Sequence, residues 1–202
     1  YPATIFTSGK GSRMKSISNK SKALIDIKDK KMIDMVWQML PIRDKEISII
    51  YNLINTPIDS LPSSTNYLKI SKTNSQFESL FLSREHLKKQ KNFFLCSCDC
   101  FGFFDEFLFS KIIKNENFDI ICFGFEPSLL QQKLGSSFST FTYSCNKVEN
   151  IYVKKIPKKN NKGLAGFFWI RDGSIISDSL LSLNNRDNKY NREIIIDDVL
   201  KY

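Results

Sequence analysis

The sequence predicts an α/β fold: a mainly parallel sheet flanked by helices, with a smaller antiparallel part toward the C-terminus. Two observations carry this. Phe93 to Cys98 and Ile120 to Phe125 are apolar at almost every position, so both faces of each strand need cover, and helical patterns separate these runs from each other and from earlier strands. Later the spacing changes. Ser139 to Tyr143, Val148 to Lys154 and Leu164 to Ile170 lie too close together for helical crossovers, which implies antiparallel pairing.

Taken in order, Thr4 to Thr7 reads as a buried strand that breaks into the polar, glycine-containing run Ser8 to Arg13. Ala23 to Ile27 is a short extended piece, after which Met32, Ile33, Met35, Val36 and Met39 recur at helical spacing. Ile47 to Tyr51 and Leu68 to Ile70 are further strands. From about Ser75 to Lys89 a helix is expected, because Phe77, Leu80, Phe81 and Leu87 form one apolar stripe. Phe93 to Cys98 ends in Asp99, and Gly102 to Phe109 follows as a helix. Lys154 to Lys162 is a polar, lysine-rich turn region, and two helical patterns, Ile175 to Leu183 and Ile194 to Tyr202, close the chain. No repeat or low-complexity linker divides it, so residues 1–202 read as one domain with a first half over about 1–125 and a second over 126–202.

The chain has 202 residues, enough to bury about 70% of its unfolded surface, and 42% hydrophobic with 25% charged residues is a globular balance that excludes disorder. No run approaches the roughly 20 apolar residues of a membrane helix, and the first residues do not form a signal peptide, so no membrane association and a cytoplasmic location are expected. Five cysteines cannot all pair within one chain. Cys96, Cys98 and Cys100 alternate along a strand-like run about 7 Å apart, too far to bridge neighbours, and C-x-C-x-C lacks the gaps of a zinc knuckle. The first residue is Tyr1 rather than Met, so the chain reads as a piece of a longer polypeptide, in which a further domain is possible.

Thirty basic against 21 acidic residues give a net charge of +9. Lys10, Arg13, Lys15, Lys20, Lys22, Lys28, Lys30 and Lys31 crowd the first 31 residues, against only Asp26 and Asp29. Such a cluster calls for an anion. Binding of single-stranded nucleic acid also calls for interleaved aromatics, and between Lys10 and Lys31 there is none, so a polyphosphate fits better than nucleic acid.

Ser8-Gly9-Lys10-Gly11-Ser12-Arg13 follows a strand directly, which places it at the carboxyl edge of the sheet, where ligands bind in α/β folds. Glycines there let backbone amides approach phosphate oxygens, although the same pair also suits a plain tight turn. A Walker loop is excluded because Lys10 lies between the glycines rather than after the last. A dinucleotide fingerprint is excluded by Met14 in place of a small residue and Asn52 in place of an acid.

The longer run Ala3 to Met14, followed by Ser21-Lys22-Ala23-Leu24-Ile25-Asp26-Ile27 and Lys30-Lys31-Met32-Ile33, resembles the opening of the sugar-phosphate nucleotidyltransferases, the nucleoside-diphosphate-sugar pyrophosphorylase family. Their pattern is an apolar strand, A-A-G-x-G-[ST]-R-[ML], then P-K-P-L, a short strand and G-K-P-[ML]-[IL]. Thr7 and Ser8 replace the two alanines and Ser21 and Ala23 the prolines, while the glycines, Arg13 and Lys22 remain. The resemblance implies a Rossmann-like, GT-A-like sheet with a nucleotide-binding first half and an acceptor-binding second half. It also implies transfer of a nucleoside monophosphate from an NTP (CTP, UTP or dTTP) to a small phosphorylated acceptor. The expected acceptor is a sugar 1-phosphate, giving a nucleotide sugar for surface polysaccharide; a non-sugar acceptor such as phosphocholine is the alternative. A non-catalytic nucleotide or nucleic-acid binding module is the reading from another class.

The family pattern distributes the site as follows. Ser8, Gly9, Gly11, Ser12 and Arg13 face the triphosphate, with Arg13 on the pyrophosphate and Lys22 toward the α-phosphate. Asp99 is expected to hold Mg²⁺, since a hard carboxylate that shares the ion with substrate phosphates suits this chemistry; a helix cap is its other reading. Thr73, Gln76 and Ser79 belong to a segment similar to T-x-G-x-x-x-[SA], which faces the nucleobase, with Ser75 in place of the glycine. Val148 to Lys154 is similar to V-x-x-[IF]-x-E-K, with Val153 replacing the acid, and puts Lys154 on the acceptor's phosphate. An ordinary strand-end lysine is the alternative, and Lys155 should point to the opposite face. Ala165 and Gly166 lie in a segment like N-x-G-[IVF]-[YF], where backbone lines the acceptor pocket, while Phe167 and Trp169 read as core. Glu193 to Val199 is similar to E-[YF]-[YI]-[LIV]-x-D-[IV], a helix start, so Asp197 and Asp198 are expected to be structural. A second metal carboxylate is then expected beyond Tyr202.

Overall fold

The computed structural model describes residues 1–7, 20–41, 46–51, 66–115, 117–133, 138–155, 161–185 and 195–200. In chain order the elements are β1 (Ala3–Phe6), a 3₁₀ turn (Lys22–Leu24), β2 (Asp26–Ile27), β3 (Lys30–Lys31), α1 (Met32–Met39), β4 (Ile47–Tyr51), β5 (Asn66–Lys69), α2 (Gln76–Leu82), α3 (Arg84–Lys88) and β6 (Lys91–Ser97). Then come α4 (Glu106–Asn115), β7 (Ile120–Phe125), α5 (Leu129–Lys133), β8 (Thr140–Ser144), β9 (Lys147–Tyr152), β10 (Lys162–Asp172), α6 (Gly173–Asn184) and α7 (Ile196–Val199).

Parallel pairing joins β5, β4, β1 and β6 in that order. The next strand is β10, which runs antiparallel to β6 and, on its other side, to β7. Two reversals restore the direction, so β7 points the same way as β6, with β10 between them. The β8–β9 hairpin joins the sheet through the start of β10, where Lys162 and Gly163 pair with Phe141 and Thr140. The fold is therefore a mixed, mainly parallel sheet flanked by helices with an antiparallel hairpin at one end, and β2–β3 form a small separate ribbon.

Strand periodicity explains the layers. Along β6, Phe94 and Cys96 face one side and Phe93 and Leu95 the other, and all four are buried. The first side is covered by α1 and α4, with Ile33, Val36 and Phe109 in its core, and the second by α2, α3, α6 and α7, with Leu80, Leu87, Leu180 and Val199. Phe94 stacks on Phe167 of β10 at 5.1 Å, and Trp169 is wholly buried in the same layer. Gly173 shows how closely α6 is seated: a Cβ there would come within 1.8 Å of the Leu87 carbonyl oxygen, so only glycine fits.

Four expectations are corrected. The helix expected from Ser75 to Lys89 is two helices, because Ser83 (φ −96°, ψ 4°) turns its hydroxyl back onto the carbonyls of Ser79 and Leu80 and breaks the run. The helix expected from Gly102 starts at Glu106, where Asp105 accepts a 2.8 Å hydrogen bond from the Leu108 amide. Asp105 is thus the cap, and Asp99 is not. Ala23 does not begin an extended piece, since it lies inside the 3₁₀ turn. Finally, β9 ends at Tyr152, because burial of Val153 draws the chain inward and Lys154 takes a left-handed conformation (φ 46°).

Candidate functional site

The site is assembled at the carboxyl edge of the parallel strands. Phe6 and Ser97, the last residues of β1 and β6, lie opposite each other in register. One more ladder bond, from the Cys98 amide to the Phe6 carbonyl (3.1 Å), carries β6 to this edge, and the Cys100 amide closes a turn on the Ser97 carbonyl (3.1 Å). Asp99 is held at the tip of that turn. Beside it Thr7 leaves β1, with both its amide and its hydroxyl on the Ile50 carbonyl (2.9 and 3.1 Å). Ser8, Gly9, Gly11, Ser12 and Arg13 come next in the chain and lie outside the described residues.

Lys22 reaches the same place from the 3₁₀ turn. Ala23 and Leu24 are buried and anchor this turn, and the Met32 amide bonds the Ile25 carbonyl (2.9 Å), tying it to the start of α1. The Lys22 ammonium forms an ion pair with Asp99 Oδ2, and both side chains are 31% exposed. Two of the sequence-derived catalytic residues, 77 positions apart, are thus in direct contact. Behind Asp99 lie thiols. Cys98 is pushed up to about 12, first by burial and then by the Asp99 charge, with Lys22 partly offsetting the rise, and Cys100 is raised for the same reasons.

Gly166 also belongs here. It sits in β10 at an irregularity where the register with β7 shifts between Leu164 and Phe168, has φ +71°, and approaches Cys100 so closely that a Cβ would lie 2.8 Å from Sγ. Ala165 precedes it, half-buried against the α1 and α4 layer. A cavity of about 10 Å³, room for one water, is lined by Ser97, Gly166, Gln76 and Ile196 and links this corner to α2.

The segment from Thr73 to Ser79 is tightly bonded. Thr73 and Ser79 are buried with hydroxyls 2.8 Å apart, Ser75 caps α2 by accepting from the Glu78 amide (3.1 Å), and Gln76 Oε1 accepts from the Ile196 amide (3.1 Å) at the start of α7. Asp198 in turn accepts from the Ile195 amide (3.1 Å), the capping arrangement of a helix start. Lys154 stands apart at the hairpin, its amide donating to Ser139 Oγ (3.3 Å). Because it lies in a turn, the expected strand alternation with Lys155 does not apply.

A wide concavity of about 1340 Å³ lies elsewhere: it runs along the edge of β7 between α4 and the hairpin, and neither Lys22, Asp99 nor Gln76 lines it. At its upper end Glu126 pairs with Lys162. Sequence reading passed over Glu126, although it follows an apolar strand as Asp99 does.

Asp99 fits a magnesium ion only of a particular kind. No group of three His, Cys, Asp or Glu able to hold a metal occurs among the described residues. A single hard carboxylate at the sheet edge, paired here with the Lys22 ammonium, suits an ion that takes its other ligands from substrate phosphates and water. Among the described residues no helix is long and apolar enough to cross a membrane, and all five cysteines are free.

No protein-family model and no curated protein matches the chain in sequence. Solved structures match in fold. An inositol-1-phosphate CTP transferase from T. maritima superposes with a TM-score of 0.71 at 17% identity over 99% of this chain and 79% of its own. A nucleoside-diphosphate-sugar pyrophosphorylase from Vibrio cholerae RC9 gives 0.70 at 12%, over 100% and 86%. HddC from Yersinia pseudotuberculosis, complexed with GMP-PN, gives 0.62 at 16%, over 88% and 79%. The chain has the nucleotidyltransferase fold, in agreement with the motif resemblance.

Proposed function

We propose that this chain, built on the nucleotidyltransferase fold, transfers a nucleoside monophosphate from an NTP to a sugar 1-phosphate in a Mg²⁺-dependent reaction. Pyrophosphate leaves, and the product is a nucleotide sugar for surface polysaccharide, made in the cytoplasm. The observation that carries the reading is the contact of Lys22 with Asp99 at the sheet edge where β1 hands the chain to the glycine run.

The chemistry needs little beyond positioning and charge. An acceptor phosphate, whose second pKa is about 6, is already ionised at neutral pH and needs no general base. Its oxygen attacks the α-phosphorus, the bond to the bridging oxygen breaks, and pyrophosphate departs with the electron pair. Two anions must therefore be brought together, which is what a lysine-rich site is for. Backbone amides at Gly9 and Gly11, with Ser8, Ser12 and Arg13, would hold the leaving pyrophosphate, and Lys22 would stabilise charge on the α-phosphate. Asp99 would hold Mg²⁺, which when bound supplies positive charge beside the phosphate oxygens. Thr73, Gln76 and Ser79 would bound the base, and Lys154, Ala165 and Gly166 the acceptor.

A second reading, cytidylyl transfer to a non-sugar phosphate such as phosphocholine, is favoured by the fold shared with an inositol-1-phosphate CTP transferase. Pyrophosphate release measured across NTPs and phosphorylated acceptors with Mg²⁺ tests both. One productive pair identifies the substrates. No release from any pair, with steeply salt-dependent binding to nucleic acid instead, would make the chain a non-catalytic binding module.

A further inference from the structure

We propose that Lys22 is a place-holding cation: in the nucleotide-free protein its ammonium occupies the Asp99 carboxylate, and a divalent metal gains that carboxylate only together with a nucleotide that draws Lys22 away. The inference rests on the reading of the site given above.

The two residues are mounted on separate, well-anchored pieces of backbone. Asp99 sits on a turn closed by two backbone hydrogen bonds, and Lys22 on a turn fixed by the buried Ala23 and Leu24. The exchange therefore requires only the flexible four-carbon stem of the lysine to swing, with both mounts fixed. Each side chain is 31% exposed, so the pair meets the solvent from which ligands arrive. The buried Cys96 and Cys98 behind Asp99 offer it no counter-charge, and Lys22 supplies one. Lys20, the neighbouring cation, is taken by Asp26 at 2.5 Å, which leaves Lys22 for Asp99.

Charge then sets the order of events. A dication approaching alone meets an ammonium already seated on the only carboxylate of this turn, and the like charges repel. A triphosphate offers Lys22 another anion, frees Asp99, and brings the metal with it on its own oxygens. Metal and nucleotide enter as a unit, and the empty site is kept from binding metal unproductively.

Nucleotide-free protein titrated with Mn²⁺, with paramagnetic broadening of the Cys98, Asp99 and Cys100 amide resonances as the readout, tests this apart from catalysis and registers even weak binding. In Lys22→Met the amides should broaden at a Mn²⁺ concentration at least about tenfold lower than in wild type, as removal of an adjacent like charge requires. Adding Asp99→Asn to that variant should abolish the gain, and Lys22→Gln should behave as Lys22→Met does, with the dispersion of the same spectra reporting that the fold is intact. Equal broadening in wild type and Lys22→Met, including none in either, overturns the proposal, as does a gain that survives Asp99→Asn. Failure of the pyrophosphate panel alone would instead count against the function.

Discussion

Replacing Gly166 with alanine tests how β10 is fitted to the turn that carries Asp99. Gly166 has φ +71°, and a Cβ built on it would stand 2.8 Å from Cys100 Sγ and 4.0 Å from Cys100 Cβ. Two costs follow. A side chain in the left-handed region costs roughly 1–2 kcal/mol. The overlap with sulfur adds on the order of 1 kcal/mol, the low end for overpacking, because the thiol can turn about one bond. Together they predict a loss of about 2–3 kcal/mol, or roughly 4–12 °C in Tm for a chain of this size. The two parts separate in a double-mutant cycle. Cys100→Ala removes the sulfur and leaves only the 4.0 Å contact, so adding Gly166→Ala to it should cost about 1 kcal/mol less than adding it to wild type. Urea and thermal unfolding supply the energies. An unchanged Tm refutes the backbone argument, and strict additivity refutes the contact with Cys100. Turnover should fall as well, since pushing Cys100 displaces the turn on which Asp99 sits.

Asp99→Ala should leave the circular dichroism spectrum unchanged and lower turnover by roughly a hundred- to a thousandfold or more, whereas near-wild-type activity in saturating Mg²⁺ removes Asp99 from the mechanism. Arg13→Ala should impair catalysis with the nucleotide more than acceptor affinity, and Lys154→Ala the reverse; equal effects on both substrates mean that one of them is misplaced. A thiol reagent at about pH 8 should modify a single cysteine rapidly in native protein, the exposed Cys145, because burial raises the other four thiols. Loss of that phase in Cys145→Ser checks the assignment. The Asp172 carboxyl is lowered from 3.8 to about 2, first by Lys91 and then by the Ser174 amide it caps. Its contribution to stability is therefore complete above 3.8 and fades as pH falls through about 2, and urea midpoints across that window should fall less in Asp172→Asn than in wild type.

How much of this was legible from sequence depended on whether the deciding force was local. Apolarity on both faces marked β6 as a covered strand, and the carboxylate ending it marked the sheet edge, because burial and chain direction together say where a strand must deliver its last residue; β7 reads the same way from sequence, yet its residues are only half-buried or exposed. Place in the sheet is another matter. The short spacing before Leu164 to Ile170 implied antiparallel pairing, which β10 makes, but nothing in that pattern says that it inserts between β6 and β7. The insertion is what brings Gly166 against Cys100. Ser83 breaking a helix and Val153 turning Lys154 out of its strand are similar cases, in which one hydroxyl or one buried side chain overrides a period read over many residues.

The contact of Lys22 with Asp99 shows the same limit at the site itself. Each residue was identifiable alone, one from the resemblance of its neighbours and the other from the strand it ends. Their pairing, however, depends on two anchors, the buried Ala23 and Leu24 on one side and the extra ladder bond from Cys98 to Phe6 on the other. Neither anchor is a property of the residue it positions. Glu126 makes the contrast plain: it too ends an apolar strand at the same edge, yet it meets Lys162 beside the hairpin. Two carboxylates delivered in the same way thus acquire different partners because β10 lies between them. A strand-end acid in such a sheet marks an edge, and only the cation that the rest of the chain carries to it decides what that acid can do.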